Sequence, residues 1–436
     1  MNFLVLGSGA REHIIAEKLF EAGVSVFSVL TNRNPGLMAL SSDFLFVNNY
    51  QKNLKMIIDF ASLKDINCVV IGPEEPLSLG FSDAFQKKGM AVVGPLRLLA
   101  QIETSKGFTR DLLNKNGIDV SPKYRRFESM NGVGDFFSFL SGEYVVKYDG
   151  LMGGKGVKVS GEHLMSVEDG LAYCKELVTN GGSFVIEEKL VGEEFSLMSF
   201  CDGKNLAHMP AVQDHKRAYE GDTGPNTGGM GCYTDSNHSL PFVNDNELNE
   251  ARGINERVAE ALRSEFGEGY KGILYGGFMV TSEGVRLIEY NARFGDPEAM
   301  NLLTLLESDF ASICMNIVEG NLGEVNFRKE ASVCKYIVPK GYGSNPVKDA
   351  TLVVDDSYKK HSELYYAAVN LEEDGVISTT SSRAAAIVSK GRDIGEAENE
   401  CELGLSHISG DNLFIRHDIA KSHLISKRVS HMESIR

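Results

Sequence analysis

Three stretches of the chain combine residues that suit phosphate chemistry. In Leu287-Ile288-Glu289-Tyr290-Asn291-Ala292-Arg293, Glu289 and Asn291 stand two apart on a predicted strand, so both face one side of a sheet. Two oxygen donors there suit Mg2+ or a similar divalent cation that also binds substrate phosphates. Arg293 continues the same face and can neutralise a phosphoryl group in transfer; a salt-bridged strand end is the alternative. In the second stretch, strand residues Val145-Val146-Lys147-Tyr148 run through Gly150, Gly153, Gly154, Lys155 and Gly156 into another strand. This is not a Walker loop, which needs Gly-Lys-Ser/Thr opening a helix. A glycine-rich hairpin between strands can instead lie over nucleotide phosphates with its N–H groups. Lys147 is set among apolar residues, and facing inward it needs an anion, because an unpaired buried ammonium is costly. The third stretch is Gln213-Asp214-His215-Lys216-Arg217 followed by Asp222-Thr223-Gly224-Pro225-Asn226-Thr227-Gly228-Gly229-Met230-Gly231. Gly-Pro excludes a regular helix there, and the glycines supply freedom that a loop wrapped round a polyanionic ligand would use.

Three weaker motifs accompany these. Gly7-Ser8-Gly9-Ala10-Arg11-Glu12 follows a strand and opens a helix. A dinucleotide fingerprint wants Gly where Glu12 stands, so a single phosphate on the helix N-terminus fits better, with an empty turn as the alternative. Gly72-Pro73-Glu74-Glu75-Pro76 ends another strand. Glu74 either accepts hydrogen bonds from a ribose or an amine, or merely sits favourably at a helix N-terminus. Glu187-Glu188-Lys189-Leu190, with Gly192-Glu193-Glu194, reads as a hinge between two units, where an adenine can use backbone groups. Surface charge is the plainer reading of Glu187 and Glu193.

The elements that must carry these residues follow from apolar spacing. Residues 1 to about 100 alternate strand and helix: strands at Asn2–Leu6, Val24–Leu30, Cys68–Ile71 and Ala91–Val93, helices at Arg11–Glu21, Lys55–Phe60 and Pro76–Lys87. This rhythm predicts a parallel sheet with ligand contacts at strand C-termini. A helix over Thr104–Asn116 leads to a small unit with strands at Tyr144–Tyr148, Val157–Val159 and Phe184–Glu188 and a helix over Val167–Val178. A larger unit follows, with strands Phe195–Phe200, Gly277–Thr281 and Val285–Tyr290 and helices Glu247–Phe266 and Pro297–Val318. The remainder reads as mostly β with one helix near Ile394–Leu405. The expected division is 1–103, then 104–122 with 192–326, then 123–191 inserted as a lid, then 327–436.

A chain of 436 residues with net charge −16 is expected to hold several domains and to avoid nucleic acid and anionic membranes as partners. Seven scattered cysteines without a CxxC predict reduced thiols, a cytoplasmic setting and neither a disulfide framework nor a zinc site. No signal peptide or membrane-spanning run is expected. Monomer and homodimer both stay open.

Taken together, the motifs resemble the phosphoribosylamine–glycine ligase family of ATP-grasp enzymes. The resemblance rests on Gly7-x-Gly9-x-Arg11-Glu12-His13, Gly72-Pro73-Glu74, Ser105-Lys106, the Lys155 loop, Glu187-Glu188-x-Leu190-x-Gly192-Glu193-Glu194, Gln213–Gly231, Asn291-x-Arg293-Phe294-Gly295-Asp296-Pro297-Glu298 and Arg416-His417-Asp418-Ile419. It implies an α/β multidomain ATP-grasp fold with an N-terminal parallel-sheet domain and a mostly β C-terminal domain. It also implies ATP-dependent joining of glycine to 5-phosphoribosylamine through a glycyl phosphate. ATP would be cosubstrate, with Mg2+ or Mn2+ on Glu289 and Asn291. Lys106, Lys147, Gly153, Gly154, Gly156, Glu187, Glu188, Leu190 and Glu194 would hold the nucleotide. Arg293, Asp214 and Lys155 would be catalytic. Gly9, Arg11, Glu74, Lys216, Arg217, Thr223, Gly224, Pro225, Asn226, Thr227, Gly228, Gly229, Met230, Gly295 and Asp296 would meet the substrates. The chain departs from the family at Ala10, at Asn34-Pro35-Gly36-Leu37, at Met152-Gly153 and at Lys340-Gly341-Tyr342-Gly343. Other readings are an ATP-grasp ligase or carboxylase of different substrate, a nucleotide-binding regulator without chemistry, and a dinucleotide-dependent oxidoreductase.

Overall fold

The computed structural model describes residues 1–153, 156–348 and 350–436. Apolar runs such as Phe3-Leu4-Val5-Leu6 and Cys68-Val69-Val70-Ile71 are buried throughout, as strands covered on both faces must be. They form a five-stranded parallel sheet in the order Asp43–Phe46, Ser25–Leu30, Asn2–Leu6, Cys68–Ile71, Ala91–Val93. Strand order reverses about Asn2–Leu6, so a crevice opens beyond the C-termini of Asn2–Leu6 and Cys68–Ile71. Gly7-Ser8-Gly9 and Gly72-Pro73-Glu74 sit at that crevice. The helix expected over Pro76–Lys87 is two, Glu74–Ser78 and Phe81–Gln86. Gly80 between them takes a left-handed φ of 79°, which turns the chain out of the helix.

An antiparallel sheet follows in the order Tyr124–Phe127, Phe184–Glu188, Tyr144–Tyr148, Val157–Val159. With the helices Val133–Phe139 and Val167–Thr179 it encloses its own apolar cluster, including Phe137, Tyr144, Val146 and Phe184. That cluster is separate from the main core, so this small unit is packed by itself. A second antiparallel sheet runs Leu206–His208, Glu193–Asp202, Lys271–Thr281, Gly284–Asn291. The helix Asp245–Phe266 lays Leu248, Ile254, Val258 and Leu262 towards the core. The single helix expected over Pro297–Val318 is again two, Glu298–Leu305 and Phe310–Glu319. Asp309 caps the second by accepting from Ser312 N–H at 2.6 Å.

A third sheet has the order Gln213–Asp214, Gly231–Thr234, Ala331–Pro339, Ala385–Gly391, Glu363–Tyr366. Its pairing of Gly231–Thr234 with Ala331–Pro339 crosses the boundary expected near residue 327. The last helix, Ser422–Ile435, was not expected from the sequence. No helix among the described residues is long and apolar enough to cross a membrane.

Candidate active site

The strand Gly284–Asn291 forms one wall of a cleft, and alternation turns Glu289 and Asn291 to the same side. Opposite lie Ile102, Glu103, Lys106 and Thr109. From the small antiparallel unit, Lys147 reaches across and donates to Ile288 O at 3.0 Å. The strand Tyr144–Tyr148 therefore touches the strand that carries Glu289 and Asn291 directly. Burial works to raise the Glu289 pKa, yet Lys106, Lys216, Lys147 and Arg293 together hold it below the ordinary carboxylate value. Lys106 lines the cleft beside Glu289, and Lys147 reaches the carbonyl of the neighbouring Ile288. Lys106 makes no ion pair among the described residues and donates only to Glu103 O, at 3.3 Å. Ser105 caps the helix Lys106–Lys115 and donates to Asp149 at 2.9 Å, which fixes the start of that helix against the small unit. Glu289 and Asn291 are hard oxygen donors, which suits Mg2+. Two protein ligands leave most of an octahedron for phosphate oxygens and water, so the donor set fits a cation that arrives with a nucleotide.

Glu187 differs from both sequence readings. It is neither surface charge nor free at the hinge, but buried between Arg110 Nε and Lys147 Nζ, each at 2.7 Å. Burial pushes its pKa up, but the two cations outweigh this and pull it down to about 2. Arg110 also donates to Leu287 O at 3.1 Å and to Ile288 O at 2.8 Å. It was missed in the sequence, although it lies on the buried side of its helix with Gly107 and Leu113. Glu188 pairs with Lys123, Leu190 is half-buried, and Glu194 is exposed and pairs with Lys216 at 3.2 Å. Glu193 is buried rather than superficial and is gripped by Arg428 and His431. Gly153 is exposed and Gly156 buried. Gly154 and Lys155 lie outside the described residues.

At the crevice of the parallel sheet, a carboxylate meets the start of the helix. Glu12 Oε2 accepts from Gly9 N–H at 2.6 Å, and its other oxygen accepts from Arg11 Nε at 2.7 Å. Glu12 thus holds the Gly9 N–H at the positive end of the helix. Arg11 also donates to Phe294 O at 3.0 Å, so the crevice abuts the 293–296 turn. Arg293 does not continue the strand face freely: it pairs with Glu103 at 2.9 Å and Glu74 at 3.4 Å, and donates to Asn291 at 3.2 Å. Burial tends to raise the Glu74 pKa, but Arg293 and Arg11 keep it low. Gly295 is buried against Glu298 and Tyr275, with no room for a side chain.

The Gln213–Gly231 stretch is more regular than expected. Arg217–Tyr219 and Thr223–Asn226 pair as a short hairpin, turned through Gly221 and Asp222 at φ 72° and 57°. Arg217 donates to Gly224 O at 2.9 Å and pairs with Glu162 of the small unit. Thr227 donates to Lys216 O at 2.8 Å. Thr223, Gly224 and Gly228 are exposed, Pro225 and Asn226 half-buried, and Met230 fully buried. Asp214 Oδ1 is buried without a hydrogen-bond partner. Burial first, and Glu298 next, push its pKa up. Asp296 is gripped by Arg383 at 2.8 Å and accepts from the Tyr336 hydroxyl. Arg383 donates also to Gly228 O at 2.6 Å and stacks 4.4 Å over Tyr336. No local signal marks Arg383 or Tyr336, because their partners are remote in sequence. Tyr342, in the divergent Lys340–Gly343 loop, accepts from Gly228 N–H at 3.4 Å.

Two antiparallel sheets, one on the core and one on an inserted unit, closing over a cleft of this kind are the architecture of the ATP-grasp enzymes, and the chain is one. A biotin carboxylase domain from Hydrogenobacter thermophilus shares that fold at 12% identity, with a TM-score of 0.75 over 99% of this chain and 97% of the other. Models of the phosphoribosylglycinamide synthetase N domain, ATP-grasp (A) domain and C domain match residues 1–103, 104–299 and 332–422, and the chain belongs to that family. The phosphoribosylamine–glycine ligase of Methanocella arvoryzae is 46% identical over 442 residues, covering 100% of both chains. That of Methanothermobacter thermautotrophicus is 46% identical over 444 residues, again covering 100% of both. A crystal structure of the Thermotoga maritima phosphoribosylamine–glycine ligase aligns with TM-score 0.81 at 26% identity, covering 96% of this chain and 100% of that one.

Proposed function

We propose that the protein joins glycine to 5-phosphoribosylamine with ATP, giving glycinamide ribonucleotide, ADP and phosphate. The observation that carries this reading is the cleft that Lys106 and Glu289 line together, with Lys147 of the small unit reaching Ile288 O beside Glu289 at 3.0 Å. A carboxylate is a poor electrophile, so glycine must first be activated. Transfer of the γ-phosphoryl group to a glycine carboxylate oxygen gives glycyl phosphate and ADP. The ribosylamine nitrogen then attacks the acyl carbon and phosphate leaves, with the nitrogen giving up a proton. Phosphoryl transfer needs mainly position and charge neutralisation, which the lysines and Arg293 offer. A divalent cation on Glu289 and Asn291 would add further neutralisation at the phosphate oxygens.

In this reading Lys106 and Lys147 meet the inner phosphates, and the 150–156 hairpin with Lys155 covers them and keeps water from the acyl phosphate. Glu187 acts through Lys147 rather than on the nucleotide itself. Glu188, Leu190 and Glu194 border the nucleoside. Asp214, Lys216, Arg217 and the Thr223–Gly229 run, with Gly295 and Asp296, orient glycine and the ribosylamine. Gly9, Arg11 and Glu74 form the acceptor side, where Glu74 suits an amine or ribose hydroxyls. The domain division given by the sequence, 1–103, 104–122 with 192–326, 123–191 and 327–436, is retained for these roles. The test is ADP release with ATP, glycine and ribosylamine omitted in turn. Full turnover should need all three. Equal turnover without glycine, or with bicarbonate or formate in its place, would refute the reading.

A further inference from the structure

We propose that the C-terminal helix Ser422–Ile435 is a strap that sets the position of the substrate loop, with Arg428 as its positioning residue. This rests on the loop role proposed above. The helix lies almost wholly beyond residue 422, where the family C-domain model ends. Its Arg428 spreads two nitrogens between two carboxylates, Glu193 at 2.7 Å and Asp222 at 2.6 Å. Glu193 opens the strand Glu193–Asp202 and also accepts from His431 at 2.6 Å. Asp222 stands at the turn of the loop hairpin in the left-handed region, φ 57°. A side chain that must hold an unfavourable backbone conformation needs fixed partners, and Asp222 has three. Besides Arg428, it accepts from Arg416 at 3.0 Å and is bonded to His215 Nδ1 at 3.2 Å.

Arg416 closes the arrangement from below. It is fully buried, chelates Asp418 at 2.9 and 2.8 Å, and donates to Arg217 O at 2.9 Å. Asp418 in turn accepts from Gly221 N–H at 2.7 Å. The C-terminal segment therefore holds the hairpin at Gly221, Asp222 and the Arg217 carbonyl, while the Arg217 side chain reaches Glu162 of the small unit. Further along the helix, Arg436 donates to Phe242 O at 2.7 Å and pairs with Glu247 at 2.8 Å, which anchors the far end of the strap on the core. The common effect of these groups is on Lys216 and Arg217, which lie between the anchored turn and the buried His215.

The test compares full-length wild type with Arg428→Met, which keeps the aliphatic stem and removes the fork, and Arg428→Lys, which keeps the charge but cannot span both carboxylates. Displacing a loop that orients a reactant should lower kcat/KM for the ribosylamine by about tenfold or more, while KM for ATP stays within about twofold. Hydrogen exchange should quicken at residues 216–229 and stay unchanged in the parallel sheet. Asp222→Asn should match Arg428→Met, and the double variant should lose no more than the worse single one. A variant that lowers thermal stability alone, with loop exchange and the kinetic split unchanged, would overturn the strap. Additive losses in the double variant would overturn it too. If wild type shows no glycine-dependent turnover, the functional reading fails, whereas the exchange comparison still reads the strap.

Discussion

Lys147 and Glu289 hold opposite charges on adjoining strands of different sheets, and the cleft depends on both. Replacing Glu289 by Gln should leave the fold intact and reduce ADP formation by about a hundredfold or more, as loss of a preorganised charge in a phosphoryl-transfer site does. Lys147→Ala should reduce it as much and also lower stability, because Glu187 loses one of its two cations. Near-normal turnover by either variant would remove these residues from the site. Arg110 has a different task. It is a fully buried guanidinium whose bonds join Glu187 to the carbonyls beside Glu289. Arg110→Met should destabilise the protein by about 3–5 kcal/mol in urea unfolding, because Glu187 would stay buried with half its partners. The Glu187 pKa is depressed, so its contribution is complete above the ordinary glutamate value and is lost as pH falls towards about 2. The Arg110→Met penalty should therefore be full at pH 7 and shrink near pH 3. A penalty independent of pH would mean that the ion pair is not its source.

Among the elements, the substrate loop shows how glycine chemistry and tertiary anchoring combine. Gly229 has φ 106°, and a Cβ there would stand 2.6 Å from Pro297 and 2.8 Å from Asp214 Oδ1. Gly229→Ala should cost about 1–3 kcal/mol in strain and displacement and weaken glycine or ribosylamine binding more than ATP binding. Titrations of each substrate in the variant would reveal it, and equal losses for all three would count against a local effect. The glycine pattern was legible in the chain because turn chemistry is local. The hairpin itself was not, since its anchors Arg416, Asp418 and Arg428 are far along the sequence. The C-terminal helix escaped notice for a related reason: only Leu424 and Met432 are buried on it, and no side chain caps its start. The broken helices at Gly80 and Asp309 were read as continuous because apolar spacing persists across each break.

Across the assembled chain, the parallel-sheet unit is tied to the C-terminal unit as well as to the cleft. Asn34 is fully buried and donates to Ser8 O, Tyr366 O and Ala367 O. Its departure from the family pattern thus falls in a docking segment. His13 joins the same contact: its Nδ1 accepts from Tyr366 N–H at 2.9 Å, and the ring stacks on Tyr366. Burial lowers the His13 pKa from 6.5 to about 4. A depressed histidine stabilises the fold fully above about pH 6.5, and this is lost as pH falls through about 4. The shift corresponds to about 3 kcal/mol. His13→Asn keeps an acceptor at that place and should flatten the fall in unfolding free energy between pH 6.5 and 4 by about that amount. Identical pH slopes for the two proteins would show that His13 does not report on this docking.

The parallel sheet, the shared face of Glu289 and Asn291, and the strands Tyr144–Tyr148 and Val157–Val159 were readable from residue order, because strand alternation and burial of continuous apolar runs act over a few neighbours. Folding decided the partners. Glu187 turned inward to Arg110 and Lys147, Glu12 turned back to the Gly9 N–H, and Arg383, Tyr336 and Arg428 arrived from the C-terminal region. A charge settles where its desolvation is offset by an opposite charge close in space, and distance along the chain carries no information about which one that will be.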